Sequence, residues 1–173
     1  MTSIIDIITM ISVLLFLYAA WSDFRSWKIP NTAILALLAL YSLRALAELL
    51  TSGDVGAALF SSTGIGGDLA AGLLLFVLGV CLWALGMFGA GDAKLFLPIG
   101  LFIGWHGMLP FVAFLLIGGV VTLLALKWPM PLQLAHFSVV VRIEEIRATR
   151  KIPYGVIMAL AALATMAVSY TKS

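Results

Sequence analysis

The chain has 173 residues, of which 63% are hydrophobic and only 10% charged, with a formal net charge of +2 and a mean hydropathy of +1.16. Soluble domains carry roughly 25% charged residues, so the composition excludes a water-soluble enzyme and reads as an integral membrane protein, all-α and built as a single domain over residues 1–173. A single cysteine, Cys81, excludes a disulfide framework and a cysteine-rich zinc site; inside an apolar run it reads as a small packed hydrophobe.

The first predicted span covers Ile4 to Ala20. A secretory signal carries its positive charge before the apolar run. Here Asp6 comes first and Arg25 and Lys28 follow, so the segment reads as a retained helix with its N-terminus outside the cytosol. The second span starts after Pro30-Asn31 and runs to about Leu50, Pro30 suiting a loop or a first helical turn. Thr51 to Gly67 is rich in turn formers and reads as a loop, with Ala57 to Phe60 as a short interfacial helix. The third span is Asp68 to Leu85. The fourth, Ala93 to Trp105, is short and calls for a tilted or partly buried helix. Pro110 to Leu126 is the fifth. Pro129 and Pro131 then interrupt the pattern. Leu132 to Arg150 is too polar to span and reads as a loop with an amphipathic helix on the membrane surface. The sixth span follows Pro153 and ends near Tyr170. No internal repeat stands out.

With the N-terminus outside and six spans, the first, third and fifth loops face the cytosol. They hold Arg25, Lys28, Lys94, Lys127, Arg142, Arg147, Arg150 and Lys151, eight of the ten basic residues. That bias agrees with the rule that cytosolic loops are rich in Lys and Arg. It places Asp23 and Asp92 at the same, cytosolic, end of the membrane.

Both aspartates sit in polar cassettes at the ends of apolar segments, where an ionisable group is a functional candidate by default. Asp23 lies in Trp21-Ser22-Asp23-Phe24-Arg25-Ser26-Trp27-Lys28-Ile29-Pro30-Asn31. Asp92 lies in Gly89-Ala90-Gly91-Asp92-Ala93-Lys94-Leu95, where two glycines permit positive φ or close backbone approach. Each has a structural alternative. Asp92 can be an N-cap, and Asp23 a loop residue weakly paired with Arg25 or Lys28. Lys94 reads as an interfacial anchor or as a charge that keeps a neighbouring carboxylate ionised. Trp21 and Trp27 fit an interfacial belt. If the two carboxylates meet, one stays protonated. The ionised one then takes a proton from water, and the protonated one hydrogen-bonds a scissile carbonyl. A third cassette, Lys151-Ile152-Pro153-Tyr154-Gly155, reads as a proline-initiated helix or as a wall of that site.

These cassettes resemble the type IV prepilin peptidases, membrane aspartic peptidases of the Gly-x-Gly-Asp class. The family pattern has an aspartate after the first span, then a basic residue and Ile-Pro-Asn, matched by Asp23, Arg25 and Ile29-Pro30-Asn31. Its Gly-x-Gly-Asp-x-Lys-Leu is matched by Gly89, Gly91, Asp92, Lys94 and Leu95, and its late Ile-Pro-Tyr/Phe-Gly by Ile152, Pro153, Tyr154 and Gly155. The three motifs occur in family order over most of the chain. The resemblance implies an endopeptidase in the bacterial inner membrane, with Asp23 and Asp92 catalytic and Arg25, Pro30, Asn31, Gly89, Gly91, Lys94, Pro153, Tyr154 and Gly155 supporting them. Its partner is a prepilin or pseudopilin precursor with a basic leader and an apolar helix, cut at the cytosolic membrane face. Full-length members add a cytosolic zinc-binding domain with paired Cys-x-x-Cys motifs and N-methylate the new terminus using S-adenosylmethionine. The chain lacks that domain and looks like the minimal, TadV/CpaA-like form found with tight-adherence (Flp-type) pili. Methyl transfer is therefore not expected, nor a metal, another cofactor or a nucleic-acid partner. Presenilin-type proteases share Gly-x-Gly-Asp but use a Pro-Ala-Leu motif that is absent here.

The remaining polar residues have plainer readings. Asp68, after Gly64-Ile65-Gly66-Gly67, reads as the N-cap of the third span, on the outer face. Arg44 and Glu48, four apart, share a helix face and read as a pair. Glu144-Glu145 reads as a solvated loop, or as an acidic pair that attracts a basic leader. His106 and His136 lack a second ligand at metal spacing. Gly100 and Gly104 form a Gly-x-x-x-Gly that lets the fourth helix pack closely and hold Asp92. Two rival functions are an ion-coupled transporter, for which inverted repeats and midplane charges are the usual marks, and a non-catalytic assembly subunit of a pilus or secretion system.

Overall fold

A computed structural model describes residues 2–127, 138–149 and 152–171, and every regular element in them is a helix. In chain order these are α1 (Thr2–Ser26), α2 (Asn31–Thr51), α3 (Val55–Phe60), α4 (Ile65–Ala84), α5 (Ala90–Lys127), α6 (Ser138–Thr149) and α7 (Tyr154–Tyr170). Four stretches are long and apolar enough to cross a membrane: Ile5–Ser26, Asn31–Thr51, Val55–Ala84 and Ala90–Lys127. Tyr154–Tyr170 is a shorter apolar helix. Leu14, Leu35, Leu50, Leu73, Leu109 and Leu116 all point outward and are more than half exposed, as side chains facing lipid are and as a soluble surface would not tolerate.

The expected fourth and fifth spans are joined without a loop. α5 runs through both, and its helical geometry breaks only at Gly104, with φ 65 and ψ −179. Only glycine adopts that backbone without strain. The sequence expectation of a linker around residues 106–109 therefore fails. The chain turns at one residue instead, and residues 90–103 and 105–127 are two helices in series.

α4 packs along the first half of α5 through glycines. A Cβ on Gly72 would lie 2.9 Å from the Leu101 side chain, and one on Gly79 would lie 2.6 Å from Phe96. One on Gly100 would fall 2.5 Å from the Gly72 Cα and 2.7 Å from the Ala71 carbonyl. Lipid gives apolar helices no hydrophobic reason to associate, so such close backbone contact supplies the packing energy. The expected role of Gly100 is met here, whereas Gly104 serves the break. α7 fills the space between α1 and α5, with Met158, Ala159 and Ala162 fully buried beside Phe16, Leu95, Phe96, Ile99 and Phe111.

Two single-residue expectations need correction. Asp68 is not an N-cap: Gly64 caps α4, and Asp68 lies a turn inside it, only 8% exposed. Cys81 is not packed but exposed on α4. The amphipathic segment does form a helix, α6. Its Arg147 pairs with Glu144 and donates from Nη2 to the Ala125 carbonyl at 3.3 Å, which satisfies an otherwise open acceptor at the end of α5. Pro129, Pro131, His136, Arg150 and Lys151 lie outside the described residues.

The glycine seam gives a direct test. Gly100→Ala forces α4 away from α5 at a backbone contact, and overpacking of this kind costs about 1–3 kcal/mol. Its thermal midpoint in detergent should fall below wild type. Gly119→Ala, where a Cβ meets nothing within 4 Å, should leave it unchanged.

Candidate active site

α1 ends in an unusual way. Trp27 has φ 57, the left-handed conformation that glycine normally supplies just after a helix. Its N–H donates to the Asp23 carbonyl at 2.9 Å. The Ser22 hydroxyl holds the returning chain by donating to the Lys28 carbonyl at 2.8 Å. A left-handed residue other than glycine costs on the order of 1–2 kcal/mol. This turn buries Ile29 against Gly91 and Gly155 and delivers Pro30 as the residue before α2. Asp23, in the last turn of α1, is thereby only 5% exposed.

Asp92 is placed by local geometry. Gly89 precedes the first residue of α5, which makes Asp92 the third helical residue. Its Oδ2 accepts from the Gly89 N–H at 3.2 Å. Asp92 is thus not the N-cap itself but the acidic half of a capping box, reaching back to the cap's own N–H. Ahead of it, Phe88 stacks edge-on against Tyr154 with ring centroids 4.7 Å apart, and also packs on Phe96. Phe96 in turn packs on Phe111 of the second half of α5.

The start of α7 joins the two acids. Pro153 precedes the helix, and Gly155 is its second residue. A Cβ on Gly155 would lie 2.8 Å from Asp23 Oδ2, 3.0 Å from Asp23 Cγ and 2.8 Å from Ile29 Cδ1. The backbone amide of the same residue lies within electrostatic reach of Asp92, as Asp23 does. One glycine therefore packs against one carboxylate and stands near the other.

Asp23 and Asp92 open onto one cleft of about 250 Å³, lined also by Trp27, Lys28, Ile29, Asn31, Gly89, Ala90, Gly91 and Lys94. Lys94 Nζ donates to Asn31 Oδ1 at 3.2 Å, so the first two cassettes are tied directly. Gly91 faces Ile29, with room for ordinary contact at 3.5 Å. Of the residues expected to support the site, Gly89, Gly91, Lys94 and Asn31 line the cleft, and Gly155 packs against Asp23. Pro30 and Pro153 act through the backbone as the residues before α2 and α7. Tyr154 anchors Phe88 outside the cleft. Arg25 is exposed and does not line the cleft. Trp27, Lys28, Ile29 and Ala90 are cleft walls that the motif reading assigned no such role. For Trp27 the only sequence signal was its place between Asp23 and Ile29-Pro30.

Two carboxylates on one small cleft can share a proton, position a water molecule and polarise a carbonyl. Among the described residues, no group of three His, Cys, Asp or Glu side chains is placed to hold a metal ion.

No curated protein and no solved structure matches the chain. The sequence does match the type IV leader peptidase family over residues 10–126. That region takes in both aspartates, Trp27, the Ile29-Pro30-Asn31 turn and Lys94, and ends before α7. It covers more than half of the chain, and the chain belongs to the type IV leader peptidase family.

Proposed function

We propose that this protein is an intramembrane aspartic endopeptidase that removes the leader from prepilin or pseudopilin precursors of the Flp type. Asp23 and Asp92 form its catalytic dyad, and residues 1–173 act as one peptidase domain. One carboxylate takes a proton from the attacking water. The other, protonated, donates to the scissile carbonyl oxygen, and the proton passes to the leaving amine as the tetrahedral intermediate collapses. The two acids titrate as a pair, so the shared proton belongs to the dyad. The observation that carries this reading is the wedging of Gly155 against Asp23, with Asp23 and Asp92 opening onto one cleft, in a chain of a peptidase family.

In this reading the two halves of α5 cross separately, giving six crossings with the N-terminus outside. The cleft then lies at the cytosolic face of the bacterial inner membrane, where eight of the ten basic residues gather. That depth suits a substrate whose basic leader stays in the cytosol while its apolar helix stays in the bilayer. Methyl transfer is not part of the reading.

Replacing a group that moves a proton in the transition state removes about 10²–10⁴-fold of rate. Asp23→Asn and Asp92→Asn should each lower cleavage of a purified precursor at least that far, scored by mass spectrometry at the leader junction, with membrane insertion intact. Wild-type cleavage by Asp23→Asn protein refutes the dyad, and tolerance of both changes in pilus assembly favours the non-catalytic subunit. Gly155→Ala tests the wedge. A misplacement of about 1 Å can cost on the order of 10²-fold in rate. Turnover should fall by about that much, while KM for the precursor changes little.

A further inference from the structure

At the opposite end of the helices from the cleft lies a larger cavity of about 630 Å³, which the peptidase reading does not use. Arg44, Ser62, Thr63, Asp68, His106 and Ser169 supply its polar lining, and Phe102, Ile103, Pro110 and Val168 its apolar walls. Its volume is in the range of small-molecule sites.

Asp68 forms the buried part of the lining. Its Oδ2 accepts from the Tyr41 hydroxyl at 3.1 Å in a buried hydrogen bond. Its Oδ1 lies against the break in α5, where a Cβ on Gly104 would be 2.6 Å away. Among the described residues no hydrogen bond reaches Oδ1. Arg44 lies close enough to act on Asp68 electrostatically, as does Glu48, yet Arg44 and Asp68 form no ion pair. The Ser62 hydroxyl and His106 Nε2 stand 3.4 Å apart.

A carboxylate and a guanidinium that share a cavity without touching are complementary to a molecule bearing both charges. We infer that this cavity holds the headgroup of a zwitterionic primary-amine phospholipid, with the ammonium on Asp68 Oδ1 and the phosphate against Arg44, Ser62 and Thr63. A buried carboxylate left without a cation is costly, and a primary ammonium offers it three hydrogen-bond donors. A choline headgroup has none and is bulkier. A glycerol headgroup brings only negative charge, which Asp68 repels. The apolar walls suit the glycerol and upper acyl region, and the cavity lies at the ends of membrane-length helices, where headgroups are found.

The test uses the purified full chain in lipid mixtures, with bound lipid read by native mass spectrometry. Phosphatidylethanolamine should be retained over phosphatidylcholine and phosphatidylglycerol by about tenfold, the scale of one charge-assisted hydrogen bond. Asp68→Asn and Arg44→Gln should each bring the ratio near unity. Arg44 is only partly buried and makes no ion pair with Asp68, so Arg44→Gln decides the matter if Asp68→Asn does not fold. Equal retention of the three lipids by wild type overturns the inference, as does a preference unchanged in Arg44→Gln. Displacement of the lipid by equimolar soluble phosphoethanolamine also overturns it, by identifying a soluble zwitterion as the ligand.

Discussion

The approach of Gly155 to the Asp23 carboxylate is the contact on which the remaining architecture depends. It fixes how near α7 comes to α1, and so how far the last helix can reach between α1 and α5. Any side chain there would collide with the Asp23 carboxyl and with Ile29 together. The amide of the same glycine lies within electrostatic reach of Asp92, so one backbone segment stands beside both acids. Rigid support of that kind is what the proposed proton-sharing pair requires, because its chemistry depends on fractions of an ångström.

The two carboxylates reach the cleft by unlike routes. Asp92 is oriented within its own turn by the Gly89 N–H, a bond available to any isolated helix start. Asp23 depends on the turn that follows it and on a distant helix: the left-handed Trp27, the Ser22 bond to the Lys28 carbonyl, and Gly155 of α7 packed against its carboxyl. Strain at Trp27 persists only where surrounding structure over-determines it. Phe88 links the two systems, because it stacks on Tyr154 of α7 and on Phe96 of α5 while leading directly into Gly89. The cleft thus closes through aromatic contacts that lie behind it, outside the space open to a substrate.

Much of this was legible in the residues. Apolar runs of membrane length located the helices to within a few positions, and the motif order assigned Asp23, Asp92 and Gly155 to one site. Position-specific geometry was less accessible. The break in α5 occupies a single glycine with no polar or proline-rich linker to announce it, so a turn was expected several residues too late. Asp68 was read as a cap because Gly64 to Gly67 imitates a loop, yet three of those four residues are already helical. Trp27 shows a deeper limit, since nothing in its side chain predicts positive φ.

The break at Gly104 has a consequence for solvent supply. The part of α5 that carries Asp92, residues 90–103, rises about 1.5 Å per residue and so spans roughly 21 Å, against a hydrocarbon layer about 30 Å thick. If that segment crosses by itself, as the proposed topology has it, it creates hydrophobic mismatch, and the bilayer answers by thinning around it. Headgroups and their hydration are then drawn inward on the side where Asp92 sits, which adds water around the mouth of the cleft.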